Sequence, residues 1–467
     1  MAGVTGAAIS AKAQPAIGRD AGLVAQFSWA ALDFARVPYN TLVNIFVFSA
    51  YFSTVVIGDP KQGQVVWSYI TSASALLVAL GAPLLGAIAD AGGRRKPWIA
   101  ASIVVGIPCM SLLWFAAPGM HTGMWLIVLG LIGGQVSFEY GAVFMNAMLP
   151  NIAPPNRIGF VSGLSLAFGN VATIILFTFF LFAWSWNPHP LFGLSAAAHE
   201  PERAVGPLVG LWLMVFCLPM FFLTPDSPGT SRNIGQAVSH GLKNLLGTFV
   251  RVREYANVAR FLIARMSFNE GFIILMLFTG VFAAGILHWT PTMLIVEGLI
   301  NSVVAASAGL FSGWLDTKLG SKRATMAFVV GTLVLNVILC SISPHEVFFI
   351  ALTPAQVASD GGLFGTLPDK VFLVTQCLVA FFVTGALGTA RAMMAKISPP
   401  HMLNEFFGLF AFSGTATSFI GPLAIGLVTQ IFNSQRAGVA VGVVFFIVGF
   451  SLMFLVKEEQ SAASESH

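Results

Sequence analysis

Apolar residues run along this chain in twelve long blocks, and polar residues gather in the short intervals between them. About 20 consecutive apolar residues in helical form cross the hydrocarbon core of a bilayer. The blocks fall near 27–52, 65–89, 97–117, 123–149, 158–184 and 206–224, then 258–288, 292–315, 324–343, 370–396, 404–432 and 436–456. The pattern predicts an all-α integral membrane protein, twelve transmembrane helices in two six-helix halves spanning 27–224 and 258–456. Between the halves lies 225–257, which opens with Pro225-Asp226-Ser227-Pro228 and carries Arg232, Lys243, Arg251, Arg253 and Glu254. Its middle, Gly235–Val252, has apolar spacing compatible with an interfacial helix or an ordinary linker helix. Residues 1–26 read as a disordered leader without the apolar core of a signal peptide, and 457–467 as a tail.

Composition narrows the class. Only 9 % of residues are charged, against about 25 % in soluble domains, and the deficit extends along the whole chain. Outside short loops there is no basic stripe, so nucleic acid is not an expected partner. The four cysteines, Cys109, Cys217, Cys340 and Cys377, all fall within apolar blocks and read as small apolar residues. No metal or cofactor is expected. With no metalloprotease helix motif, phosphate-binding glycine loop or nucleophile elbow, an enzyme site is not expected either.

The placement of cations orients the chain. With the N-terminus inside, sixteen Lys and Arg fall in cytoplasmic segments and four, Lys61, Arg203, Lys370 and Arg436, in outer loops. By the positive-inside rule both termini are cytoplasmic.

Two polar intervals repeat. Gly86-Ala-Ile-Ala-Asp90-Ala-Gly-Gly93-Arg94-Arg95-Lys96 joins the second and third blocks. Gly313-Trp-Leu-Asp316-Thr317-Lys318-Leu-Gly320-Ser-Lys322-Arg323 returns 227 positions later with the same seven-residue glycine spacing. Two such loops half a chain apart mark an internal duplication. Gly86 is expected to let a neighbouring helix come close and Gly93 to permit a tight reversal, with Asp90 facing the first N–H groups of the next helix. In the second copy the aspartate slot holds Thr317, and Asp316 lies one residue early, about 100° round a helix. Paired prolines at Pro154-Pro155 and Pro399-Pro400 give a second duplicated feature.

Charges inside spans are costly, roughly 2.5–3.5 kcal/mol each, and read by default as functional. They are Asp33 and Arg36 in the first span, Glu139 in the fourth, Arg265 and Glu270 in the seventh and Arg391 in the tenth. Glu405 enters the eleventh and Glu297 lies nearer the end of the eighth. Asp33 and Arg36, three apart, can pair with each other; alternatively Asp33 pairs with Arg391 across the halves and closes the inner mouth. Glu139 and Glu270 can carry a proton or serve as hydrogen-bonded structural carboxyls. Arg265 or Arg391 can hold a substrate carboxylate.

The pattern G-x-x-x-D-x-x-G-R-R/K resembles the signature loop of the major facilitator superfamily. Further stretches are similar to its vacuole effluxer-like branch: Trp29-Ala-Ala-Leu-Asp33-Phe-Ala, the loop from Gly86 through Pro97-Trp98, Leu149-Pro150 through Gly163, Asn269-Glu270-Gly271, Arg391, and Glu405-Phe-Phe-Gly408-Leu. Arg36-Val-Pro38-Tyr stands where that branch carries N-S-A-Y. The resemblance implies that the first helix of each three-helix repeat lines a central cavity and that the two halves rock about a midplane site. It assigns Gly86, Asp90, Gly93, Arg94, Arg95, Gly313, Asp316, Gly320, Lys322 and Arg323 to a conformational latch. It also implies a monomeric secondary transporter of the cytoplasmic (inner) membrane that exports amino acids or similar small molecules, with protons as coupling ion. Two rivals stand beside it: efflux of drugs or amphipathic compounds, and a sensor or assembly subunit that has lost transport.

Overall fold

The structure, a computed structural model, describes residues 21–92, 94–120, 122–154, 157–187, 189–226, 255–398 and 403–457. Twelve helices within them are long and apolar enough to cross a membrane. They are α1 (Leu23–Val56), α2 (Pro60–Gly86), α3 (Lys96–Phe115), α4 (Met124–Leu149), α5 (Phe160–Ser185), α6 (Glu200–Leu223), α7 (Ala256–Ile286), α8 (Pro291–Leu319), α9 (Ser321–Cys340), α10 (Leu367–Ile397), α11 (Phe406–Phe432) and α12 (Gln435–Met453). The largest shift from expectation is at α6, which begins at Glu200 rather than near 206. Pro201 and two acidic residues occupy its first turn, favourable at a helix N-terminus, so the helix starts ahead of its apolar run. The Gly235–Val252 segment lies outside the described residues.

Helices α1 and α7 form the centre. In α1 78 % of the apolar window is buried and in α7 72 %, whereas no other helix exceeds 44 %. Around them α1 packs on α5 and α6, α3 on α4, α7 on α12, and α10 on α8 and α9. The outer faces of the peripheral helices present Leu80, Val104, Trp125 and Phe222 to the surroundings, as a lipid-facing wall requires.

The central helix α1 is irregular. Pro38 has no N–H to donate, and directly after it the chain widens into π-helical turns over Tyr39–Phe46. Such wide turns carry one more residue per bond, and here they deliver Asn40 and Asn44 to the interior.

The halves meet through α2 with α11 and α1 with α7. Gly280 of α7 lies so close to the Ile45 carbonyl of α1 that an added Cβ would collide with it. Among the described residues, all side-chain hydrogen bonds between the halves run from α2 to α11 or α12. Gln64 Nε2 donates to Thr429 Oγ1 at 2.8 Å, Tyr69 Oη to Gln430 Oε1 at 2.6 Å, and Ser72 Oγ to the Phe419 carbonyl at 2.8 Å. These bonds lie toward the 57–59 loop. The halves are therefore tied at that end, and no hydrogen bond or ion pair between described residues ties them at the signature-loop end.

Candidate functional site

A cavity of about 280 Å³ lies between the halves. Its polar lining is Asn40 and Asn44 from α1, Thr71 and Ser74 from α2, Gln135 and Glu139 from α4, Asn269 from α7, and Thr415 and Ser418 from α11. Trp67, Ile70, Val78, Ile273, Met276 and Leu277 complete the walls. The expectation that the first helix of each repeat lines the cavity holds for α1, α4 and α7 and is corrected for α10. That helix is held between α8 and α9, and α2 and α11 supply the lining instead.

The lining polar groups are internally bonded in one sense. Asn44 Nδ2 donates to Gln135 Oε1 at 2.5 Å and to Asn40 Oδ1 at 3.2 Å. Gln135, one turn before Glu139 on α4, donates to its Oε1 at 3.2 Å. The hydroxyls of Thr71, Thr415 and Ser418 donate to carbonyls of their own helices, those of Trp67, Phe412 and Thr415. Their protons are thus committed, and lone pairs are what they can offer a guest. Among the described residues, Glu139 is the one ionisable side chain in the lining.

The other span charges are engaged elsewhere. Arg36 donates to Asp33 at 2.8 Å and to the Phe138 carbonyl at 2.9 Å, with its guanidinium 4.2 Å from the Phe138 ring centroid. Asp33 also accepts from Ser165 at 2.5 Å. This is the pairing within α1; the Asp33–Arg391 pair across the halves is absent among the described residues. Arg265 donates to the Phe410 carbonyl at 2.7 Å and to Ser413 Oγ at 2.6 Å, and Glu270 accepts from the Gly421 N–H at 2.8 Å. Arg391 is exposed and outside the cavity lining. The side chain of Glu405 lies outside the described residues. Glu297 is fully buried and accepts from Asn301 at 3.2 Å.

The signature intervals are shorter loops than expected, since helical backbone continues to Gly92 after α2 and to Leu319 in α8. Gly93 and the Asp90 side chain lie outside the described residues. Among the described residues, the first N–H groups after that loop have an acidic partner beyond α6. Asp226, just beyond α6, accepts from the N–H of Arg95 at 2.9 Å and of Lys96 at 3.3 Å, and Lys96 Nζ reaches the Phe221 carbonyl at 2.7 Å. The second half mirrors the lysine contact, Lys322 Nζ donating to the Phe454 carbonyl at 3.5 Å. There Asp316 accepts from the Ser321 hydroxyl and from Lys396 at 3.1 Å, tying the end of α8 to α9 and α10. Gly320 turns the chain at φ +82°, a conformation side chains rarely adopt. Beside Gly86 and Gly313, however, an added Cβ would meet nothing within 4 Å. The close helix contact expected at Gly86 is therefore absent among the described residues. Arg94 and Arg323 are exposed.

Sequence reasoning did not single out Asn40, Asn44, Thr71, Thr415 or Ser418. The signal for the two asparagines was Pro38, which widens the turn that carries them.

Twelve apolar helices in two sets of six about a polar cavity, the halves tied at one end, define a multi-pass membrane transporter of the major facilitator class rather than an enzyme. Solved structures of low sequence identity share the fold. A bacterial homolog to the human lysosomal transporter Spinster, inward-facing and unoccupied, gives a TM-score of 0.64 at 16 % identity, covering 94 % of this chain and 98 % of that one. The D-xylose-proton symporter gives 0.62 at 11 % identity, covering 93 % and 96 %. Within that class the chain belongs to the family described as "Vacuole effluxer Atg22 like", whose model matches residues 53–159 and 156–466. It is 23 % identical over 438 residues to the MFS-type transporter YxiO of Bacillus subtilis, covering 93 % of this chain and 95 % of that protein. It is also 23 % identical to Autophagy-related protein 22 of Cryptococcus neoformans over 308 residues, 65 % of this chain and 49 % of the fungal protein. The match thus spans about half of that fungal relative.

Proposed function

We propose that this transporter moves a small solute bearing a protonated amine, an amino acid or a similar molecule, and that Glu139 binds the amine. The observation that carries this reading is the sense of the lining. A carboxylate and three hydroxyls whose protons are committed elsewhere face the cavity, so the guest that satisfies them is rich in donors. An ammonium group, with three donors and a positive charge, is such a guest. A carboxylate on the same solute would find donors at the Asn40 amide rather than at an arginine, since Arg265 is already bonded to α11 and Arg391 is outside the lining. At about 280 Å³ the cavity is at the small end of ligand sites, which favours a metabolite over a drug.

The family's description as effluxers supports export. The Lys and Arg distribution supports a cytoplasmic signature-loop end, both termini inside and, for the bacterial relative's class, the inner membrane. The chain works as a monomer and rocks its halves about the cavity. Glu139 also carries the coupling proton: a carboxylate that binds an amine in one state and a proton in the other exchanges the two across the membrane. The apolar walls, Trp67, Ile70, Ile273 and Met276 among them, favour as second reading an amphipathic amine.

The experiment is counterflow in proteoliposomes, with single amino acids, polyamines and cationic amphipathic compounds loaded in turn and an internal pH dye. The expected result is saturable exchange of one amine-bearing class, with affinity reduced at least tenfold and proton movement lost in Glu139→Gln. Exchange confined to solutes without an amine, or full dependence on a pH gradient in Glu139→Gln, would refute the assignment.

A further inference from the structure

Helix α11 is not continuous. Its helical backbone runs from Leu403 to Thr415 and again from Ile420 to Phe432, with four residues between. The cause is legible in the chain: Pro422 has no N–H for the Ser418 carbonyl one turn earlier, and its ring would collide with that carbonyl. A break of this kind leaves carbonyls at the end of one segment and N–H groups at the start of the next without helical partners. Inside a membrane such groups must be satisfied by protein or by a wetted cavity.

One stretch of α7 answers both ends. Arg265 donates to the Phe410 carbonyl and to Ser413, and stacks 3.8 Å from the Phe410 ring centroid. Asn269, one turn on, donates to the Gly414 carbonyl at 3.2 Å. Glu270 accepts from the Gly421 N–H at 2.8 Å, and a Cβ at Gly421 would sit 2.9 Å from that same carboxylate oxygen. The cation and the amide therefore face the carbonyl end of the first segment, and the carboxylate the N–H end of the second, each matching the sign of the helix terminus it meets. The gap and its flanks reach the cavity through Gly414, Thr415, Ser418 and Pro422. From the other half, Ser72 donates to the Phe419 carbonyl inside the gap.

We propose that Arg265, Asn269 and Glu270 are positioning residues: they hold α11 open so that the Thr415 and Ser418 oxygens face the solute and the gap docks on α2. This rests on reading the cavity as the solute site. Glu270 then acts as a hydrogen-bond acceptor fixed to the backbone, and a glutamine, whose amide oxygen accepts equally well, can take its place. A proton-carrying role predicts the opposite, since glutamine cannot titrate.

The test is hydrogen–deuterium exchange of the full chain in lipid nanodiscs, which needs no solute and so stands or falls apart from the transport reading. Glu270→Ala is expected to speed exchange of amides 418–423 at least tenfold, Glu270→Gln to remain within threefold of the natural protein, and α9 to be unchanged in both. Asn269→Ala, a milder change should Glu270→Ala not fold, is expected to speed exchange of amides 415–419 at least threefold. In the pH-dye vesicles, Glu270→Gln is expected to keep proton movement. Unaltered exchange in Glu270→Ala or Asn269→Ala, exchange in Glu270→Gln as fast as in Glu270→Ala, or lost proton movement in Glu270→Gln would each overturn the proposal.

Discussion

Gln64 of α2 and Gln435 of α12 hold each other across the two halves. Gln64 donates to the Gln435 carbonyl oxygen, and the Gln435 side chain donates back to Gln64 Oε1, both at 3.2 Å. Both residues are buried, and Gln64 reaches Thr429 as well. A net hydrogen bond contributes about 0.5–1.5 kcal/mol, so losing the three at Gln64 shifts the equilibrium between closed and open states of the 57–59 end by roughly tenfold or more. Spin labels at Lys61 and Arg436 in Gln64→Ala should show a longer distance population raised to that degree. An unchanged distance distribution would mean that the Tyr69 and Ser72 bonds and the Gly280–Ile45 contact hold this end without Gln64.

The Asp33–Arg36 pair is largely withdrawn from solvent, each side chain 13 % exposed. Removing one partner of such a pair typically destabilises by about 3–5 kcal/mol, because the other charge stays buried. Asp33→Ala should therefore lower the melting temperature measured by intrinsic fluorescence, and the double change Asp33→Ala with Arg36→Met should recover more than half of the loss. A double variant no better than the single one would show that Asp33 matters through Ser165 instead.

Asp226 caps α3 from beyond the end of α6. Loss of an N-terminal cap costs about 1 kcal/mol. Asp226→Ala is expected to slow counterflow severalfold with apparent affinity unchanged, since the cap lies at the loop and not in the cavity. A raised half-saturation concentration with unchanged maximal rate is the result that would contradict it.

Thr415→Val and Ser418→Ala remove acceptors from the cavity while leaving the backbone ladder of α11 intact. Each should weaken binding of an amine solute about fivefold, read as counterflow half-saturation, with no measurable change in melting temperature.

Most of the scaffold was readable from local pattern. Twelve apolar runs, two glycine-spaced loops and the positions of Asp33, Glu139 and Glu270 are features of neighbouring residues, and the helices fall where those runs are. The capping of α3 was not readable, because Asp226 lies about 130 positions beyond Arg95 and only folding brings them together. The break in α11 was partly readable: Pro422 stood inside an apolar run, and a proline there argues against an unbroken helix. What no local pattern could supply was which charges face the cavity. Arg265 and Glu139 look alike as lone charges in a span, and their surroundings on α11 and α1 are what separate them.

Among the described residues, the hydroxyls of Thr71, Thr415 and Ser418 donate only within their own helices. On the proposed reading of the cavity as the solute site, these side chains can be exchanged for other small ones, altering cargo while the helices around them stay in register. Cargo choice and scaffold stability would then reside in different atoms of the fold.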